Sequence, residues 1–146
     1  MMSHIYLTLE QAIETHSRTI EVSGGGSLGL LNIGQLESVL QNIQNDGWYP
    51  TFIDKLTHLF FSTSKFHCFA DGNKRLAISL SAQMLLFNGY VFLTRRFILE
   101  MENISYHVAA GRIEKDLLRD IIAAVLNDES ENEGLKLRIY QAIREE

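Results

Sequence analysis

Apolar residues recur every three or four positions along most of this chain, and the breaks fall where helices can start or stop. Leu9, Ala12, Ile13, His16 and Ile20 form one face of a first helix. Thr8 with Gln11 makes a capping box at its start, and the glycines at 24–26 end it. Ile33, Leu36, Leu40 and Ile43 mark a second helix that stops near Asp46-Gly47. Thr51 with Asp54 opens a third, carrying Phe52, Leu56, Leu59, Phe60 and Phe66. From Leu76 to Phe87 the chain is apolar around nearly every face, which predicts a buried helix closed at Asn88-Gly89. Tyr90 to Leu93 has the aromatic and β-branched composition of a short strand. Phe97, Met101, Ile104 and Val108 return to helical spacing, Gly111 ends that run, and Ile113, Leu117, Ile121 and Val125 begin another.

The class expected is therefore all-α: helices bundled around a buried central one, with at most a short β-hairpin. With 146 residues, 46% of them hydrophobic, the chain is one domain's worth of core. An acidic hinge at 127–134 separates residues 1–126 from a closing amphipathic stretch with Leu135, Leu137, Ile139, Ala142 and Ile143, giving a body of 1–126 and an extension of 127–146. No apolar run is long enough to span a bilayer and no signal-peptide pattern opens the chain, so a soluble, cytoplasmic protein is expected with no membrane partner. A net charge of −5 argues against nucleic acid as the main partner, because binding a phosphate backbone calls for a basic face. Cys68 is the single cysteine, so no intramolecular disulfide can form, and it reads as a small filler.

Immediately before the apolar helix stands His67-Cys-Phe-Ala-Asp-Gly-Asn-Lys-Arg75. Asp71-Gly72-Asn73 supplies a tight turn whose amides can converge on an anion at the helix start. Lys74 adds a point charge there, and Arg75 a planar fork able to grip two phosphate oxygens. A lone carboxylate, Asp71, suits Mg²⁺ arriving with ATP, since magnesium is commonly held by one or two carboxylates plus phosphates and water. His4, His16, His58, His67 and His107 show no close metal-ligand pairing of their own. His67, kept neutral by neighbouring cations, can take a proton from an incoming hydroxyl. Phe69 alternates with these polar positions and is assigned to packing, as the anchor of the loop. Taken singly, the histidine would be structural, the cations a solvated spot and the turn an ordinary cap. Their coincidence, in this order before an apolar helix, points to transfer of part of a nucleoside triphosphate.

The motif resembles the signature of the Fic/Doc family, His-x-Phe-x-Asp/Glu-Gly/Ala-Asn-Gly/Lys-Arg. Tyr6-Leu-Thr-Leu-Glu10, the glycines at 24–26, Gly34-Gln-Leu-Glu-Ser-Val-Leu40, Asn88-Gly89-Tyr90 and Ala109-Ala-Gly-Arg-Ile113 resemble its death-on-curing subgroup, over about residues 5 to 126. The resemblance implies a Fic-type helical bundle. It makes His67 the base that activates a target hydroxyl, Asp71 the Mg²⁺ ligand, and Gly72, Asn73, Lys74 and Arg75 the phosphate site. In the adenylylating branch, Gly stands before the first Arg and a second Arg three residues after it; here these positions are Lys74 and Ile78. That departure implies transfer of the γ-phosphoryl group of ATP to a protein Ser or Thr in preference to AMP transfer. An inactive nucleotide- or protein-binding module is the third reading.

The resemblance also implies a flap that holds the target backbone beside the histidine. Trp48 and Tyr49 are candidates for it, and plain cover for the core edge is the competing role. The family's inhibitory helix carries Ser/Thr-x-x-x-Glu-Gly/Asn. Ser17 and Glu21 have the first spacing, but Val22 replaces the small last residue, so an antitoxin acting in trans is expected, and with it the role of a toxin. The translation machinery is the target class the resemblance suggests. An apolar patch on the closing stretch would fit either a homo-oligomer or an antitoxin groove.

Overall fold

The computed structural model describes residues 4–22, 33–65, 73–129 and 131–144, with backbone alone at 19–22, 73 and 74. Seven α-helices and no strand occur among them: α1 (Leu9–Val22), α2 (Ile33–Asn42), α3 (Phe52–Lys65), α4 (Asn73–Phe87), α5 (Val91–Ala109), α6 (Lys115–Leu126) and α7 (Glu133–Ile143). The expected all-α class and central helix are both present. α4 packs against α1, α3 and α5; α6 closes over α3 and α5, and α7 packs on α6. Leu76, Ala77, Leu80, Met84 and Leu85 of α4 are fully buried. Leu56, Leu59 and Phe60 meet them from α3, and Phe97 and Met101 from α5. Phe60 and Phe97 meet edge to face at 6.1 Å, the arrangement that the ring quadrupole favours. Leu86 and Phe87 at the last turn of α4 remain exposed, so the rod is buried along most of its length and emerges at its C-terminal end.

The helix signals in the sequence act as expected. Thr8 N–H donates to Gln11 Oε1 at 2.9 Å while Gln11 N–H donates to Thr8 Oγ1 at 3.1 Å, closing the box that starts α1. Asp54 N–H donates to Thr51 Oγ1 at 3.1 Å, and the Thr51 hydroxyl in turn donates to Asp54 Oδ2 at 2.8 Å at the start of α3. At the end of α4, Gly89 adopts φ +90°. Its N–H donates to Leu86 O at 3.2 Å and that of Tyr90 to Leu85 O at 2.9 Å, a Schellman motif that satisfies two otherwise orphaned carbonyls. Gly111, at φ +81°, ends α5 in the same way, with Arg112 N–H on His107 O at 2.9 Å.

Tyr90 to Leu93 is not a strand. The chain turns at Gly89, and α5 begins at Val91, with the Thr94 hydroxyl donating to Tyr90 O at 2.6 Å. No neighbouring strand is present among the described residues to accept a ladder, whereas a helix gives each N–H an acceptor in its own chain; this outweighs the local β-propensity. Tyr90 instead stacks on Phe52 with ring centroids 5.1 Å apart. Ile113 also falls outside its expected helix, since α6 starts at Lys115. It is fully buried just before the cap residue Glu114, placed with Leu118 in the core as a hydrophobic staple would be.

Two polar side chains tie the bundle's upper edge together. Asn88 donates to Ile5 O at 2.9 Å and Met84 O at 2.8 Å and accepts from Ile5 N–H at 2.8 Å, pinning the N-terminal segment to the end of α4. Lys55, on α3, is fully buried and donates to Ile43 O at 2.8 Å and to Asp46 Oδ1 at 2.7 Å. It thereby closes the open carbonyl end of α2 and fixes the turn that leads into α3.

Candidate active site

The motif spans the connection between α3, which ends at Lys65, and α4, which starts at Asn73. His67, Cys68, Phe69, Asp71 and Gly72, as well as Phe66, lie outside the described residues. Asn73 and Lys74 are described by their backbone, as the first two residues of α4; Arg75 follows in the same turn and is exposed. No acidic residue occupies the first turn of α4. Helices ordinarily place Asp or Glu there, because the free N–H groups make that end positive. Two cations in that position add charge to an end that is already positive, a local cost that a bound anion would offset. Ile78, one turn further on, is half-buried and packs against the core.

More than half of the chain, residues 6–85, matches the Fic/DOC family. The chain belongs to that family. No curated protein matches it closely enough to count as a relative. Members of the Fic/DOC family are typically transferases that move part of a nucleotide onto proteins. The match spans the first helix, the motif and most of α4, the part of the chain that carries the proposed chemistry.

Trp48 and Tyr49 sit in the turn between α2 and α3. Asn45 Oδ1 accepts from Gly47 N–H at 2.9 Å and Trp48 N–H at 3.0 Å, and Tyr49 N–H donates to Asn45 O at 2.9 Å. The segment is thus a compact helical turn and not a hairpin. Trp48 projects into solvent, while Tyr49 stacks on His58 of α3 at 4.5 Å. Together with Asp54, Thr57, Lys115, Asp116 and Arg119 they line a cleft of about 230 Å³ between α3 and the start of α6.

Sequence reasoning did not foresee the cluster beneath that cleft. Lys115 Nζ lies 2.8 Å from His58 Nδ1, and 5.4 Å from the centre of the Tyr49 ring. An ammonium can only donate, so His58 is neutral with its proton on Nε2. Burial, helped by the charge of Lys115, lowers the His58 pKa to about 4. Burial lowers that of Lys115 as well, with Asp54 pulling the other way. Arg119 Nε donates to Asp54 Oδ1 at 2.6 Å; together with Thr51 it outweighs the burial of Asp54 and holds its carboxyl below the usual range. His58 and Lys115 lie 57 positions apart, so no local spacing rule could have paired them.

The depressed His58 pKa has a consequence for stability. In the unfolded chain His58 titrates near its ordinary value of 6.5, whereas the folded chain keeps it neutral down to about 4. Its contribution is therefore intact above pH 6.5 and fades as pH falls towards 4. Because the ring is partly exposed, the loss is reduced by solvent to roughly 1–2 kcal/mol. Thermal unfolding from pH 7.5 to 4.5 should show the parent losing stability more steeply than His58→Gln; equal slopes would remove His58 as the cause.

Proposed function

We propose that this protein transfers a phosphate-containing group, by preference the γ-phosphoryl of ATP, to a Ser or Thr hydroxyl of a target protein, and that it is a death-on-curing-like toxin held in check by an antitoxin. The observation that carries this reading is the pair of cations, Lys74 and Arg75, at the positive end of the central helix, within a family motif that supplies a base and a carboxylate. Such an end is suited to a polyanion. Gly72, Asn73, Lys74 and Arg75 would hold the triphosphate, and Asp71 with the phosphates would hold Mg²⁺, which spreads the charge that develops on the transferred group. His67 would take the proton of the acceptor hydroxyl.

Transfer of the γ-phosphoryl is preferred over AMP for a reason that extends to the packing. The adenylylating branch grips the distal phosphates with a second arginine at the position of Ile78, and here that residue packs against the core. Lys74, where that branch has glycine, adds bulk and charge beside the amides. With a weaker distal grip and a filled nest, the nucleotide is expected to bind with its γ-phosphorus towards the hydroxyl. Trp48 and Tyr49 would contact the target, and a factor of the translation machinery is the first class to test.

Incubation with Mg²⁺ and a cell lysate, in parallel with α- and γ-labelled ATP, separates the readings. Label from the γ position on a protein band is the expected result. Label from the α position makes the protein an adenylyltransferase. Label from neither, with ATP bound in calorimetry, leaves a binding module.

A further inference from the structure

α5 is a 19-residue helix with one face in the core and an unusually apolar face in solvent. Phe92 is 96% exposed, Leu99 63% and Tyr106 51%. They stand seven residues apart, so a 3.6-residue repeat brings them onto one line running along the helix about 20 Å. Val91 and Ile98, also exposed, widen the line on one side. The buried residues Thr94, Phe97, Met101, Ile104 and Val108 occupy the opposite face. A monomer gains nothing by presenting phenylalanine, leucine and tyrosine in register to water, and stripes of this kind mark interfaces.

The charges beside the stripe indicate which partner fits. Arg95 and Glu102 lie on the same flank of it, both exposed, and among the described residues neither makes an ion pair within the chain. Arg95 is four residues before Leu99 and Glu102 three after it. If a second α5 is laid antiparallel on the first with the two-fold axis at Leu99, equivalent flanks face each other and the direction is reversed. Arg95 then falls beside Glu102 of the other copy, and Glu102 beside Arg95 of that copy. The same operation sets Phe92 against Tyr106 at both ends and Leu99 against Leu99 in the middle. Pattern and charge are thus self-complementary under one two-fold rotation, as an isologous contact requires. A parallel two-fold pairing would put equivalent flanks on opposite sides of the seam, and Arg95 would not meet Glu102.

We propose that this chain forms a two-fold dimer through antiparallel α5 helices, with Leu99 at the axis and reciprocal Arg95–Glu102 pairs at its flank. The inference is independent of the reaction, since the face lies on the side of α5 turned away from the core and uses no motif residue.

Sedimentation of the full chain over a range of concentrations tests it. The parent should sediment as a dimer that dissociates on dilution. Arg95→Glu alone sets four carboxylates around the axis and should raise the dissociation constant about 10- to 100-fold, as should Glu102→Arg. The double swap Arg95→Glu with Glu102→Arg restores the pairing and should restore the dimer. Leu99→Glu should give a monomer, with the helical circular dichroism of the parent as a check that the surface change leaves the fold intact. A parent that is monomeric at every concentration, one that binds only a different helical protein, or a dimer indifferent to the single swaps would each overturn the proposal.

Discussion

Replacing His67 with alanine is expected to lower transfer of label from ATP to protein about 10²–10⁴-fold, the range over which a positioned general base acts. ATP binding should be nearly unchanged. The reason lies in what each part of the motif contributes. On the proposed reading Lys74 and Arg75, in the first turn of α4, would supply the charge that holds phosphates, and a histidine six positions before Asn73 would not be needed for that charge. A hydroxyl attacking phosphorus becomes a better nucleophile as its proton leaves, and a neutral imidazole near pH 7 is the group in the motif able to accept it. Arg75→Ala is the contrasting variant: it would remove the proposed phosphate contact and should weaken nucleotide binding as well as turnover. Calorimetry and labelling on the two variants distinguish the roles. If His67→Ala labels targets as well as the parent does, His67 is not the base.

Lys55→Ala should be the most damaging single change in stability away from the apolar core, lowering the unfolding free energy by about 2–4 kcal/mol. Two effects combine. The side chain is wholly buried, so truncation leaves a cavity where its methylenes packed. The carbonyl of Ile43 also loses its donor at the closed end of α2. Lys55→Met separates them, because it keeps most of the volume and removes only the ammonium; it should recover part of the loss. Burial works against the charge, yet the hydrogen bond to Asp46 and the attraction of Tyr6 and Asp46 outweigh it and hold the Lys55 pKa above the ordinary lysine value. Hydrogen bonding and attraction from Lys55 in turn lower that of Asp46. The signs give the pH window. The lysine's contribution is complete below its unfolded pKa and is lost as pH rises through the folded one; the aspartate's is complete above its unfolded pKa and is lost on acidification through the folded one. The bridge therefore operates across the whole neutral range. Urea unfolding followed by helical circular dichroism measures the effect, and a Lys55→Ala variant within 0.5 kcal/mol of the parent, about the scatter of a neutral surface change, would show that the burial contributes little.

These two predictions rest on different kinds of legibility. The role of His67 is read from the linear order of the motif, and family membership supports that reading without bearing on any one residue. The role of Lys55 could not be read from the chain. A lysine among Asp54, Leu56 and Thr57 looks like the polar face of an amphipathic helix, and only the return of the α2 end towards α3 gives its ammonium two acceptors and makes burial tolerable.

The same division runs through the molecule. The capping pairs Thr8–Gln11 and Thr51–Asp54 and the glycines at 89 and 111 act within a few residues of themselves, so the sequence by itself determined where these helices begin and end. The three- and four-residue spacing fixed which face of each helix is apolar, and the motif placed its cations at the start of the central helix. What depended on distant partners was settled by the tertiary structure: Val91 to Leu93 entered α5, with Tyr90 at its cap, because no strand is present among the described residues to pair with them, and His58 is held neutral because the fold buries its ring and brings Lys115 of α6 beside it. On α5 the spacing picked out Phe97, Met101, Ile104 and Val108, which are buried, whereas the second apolar line of Phe92, Leu99 and Tyr106 left in water was shown by the fold alone. Local hydrogen bonds are encoded by neighbours in sequence, whereas burial and charge state belong to whatever the fold brings alongside.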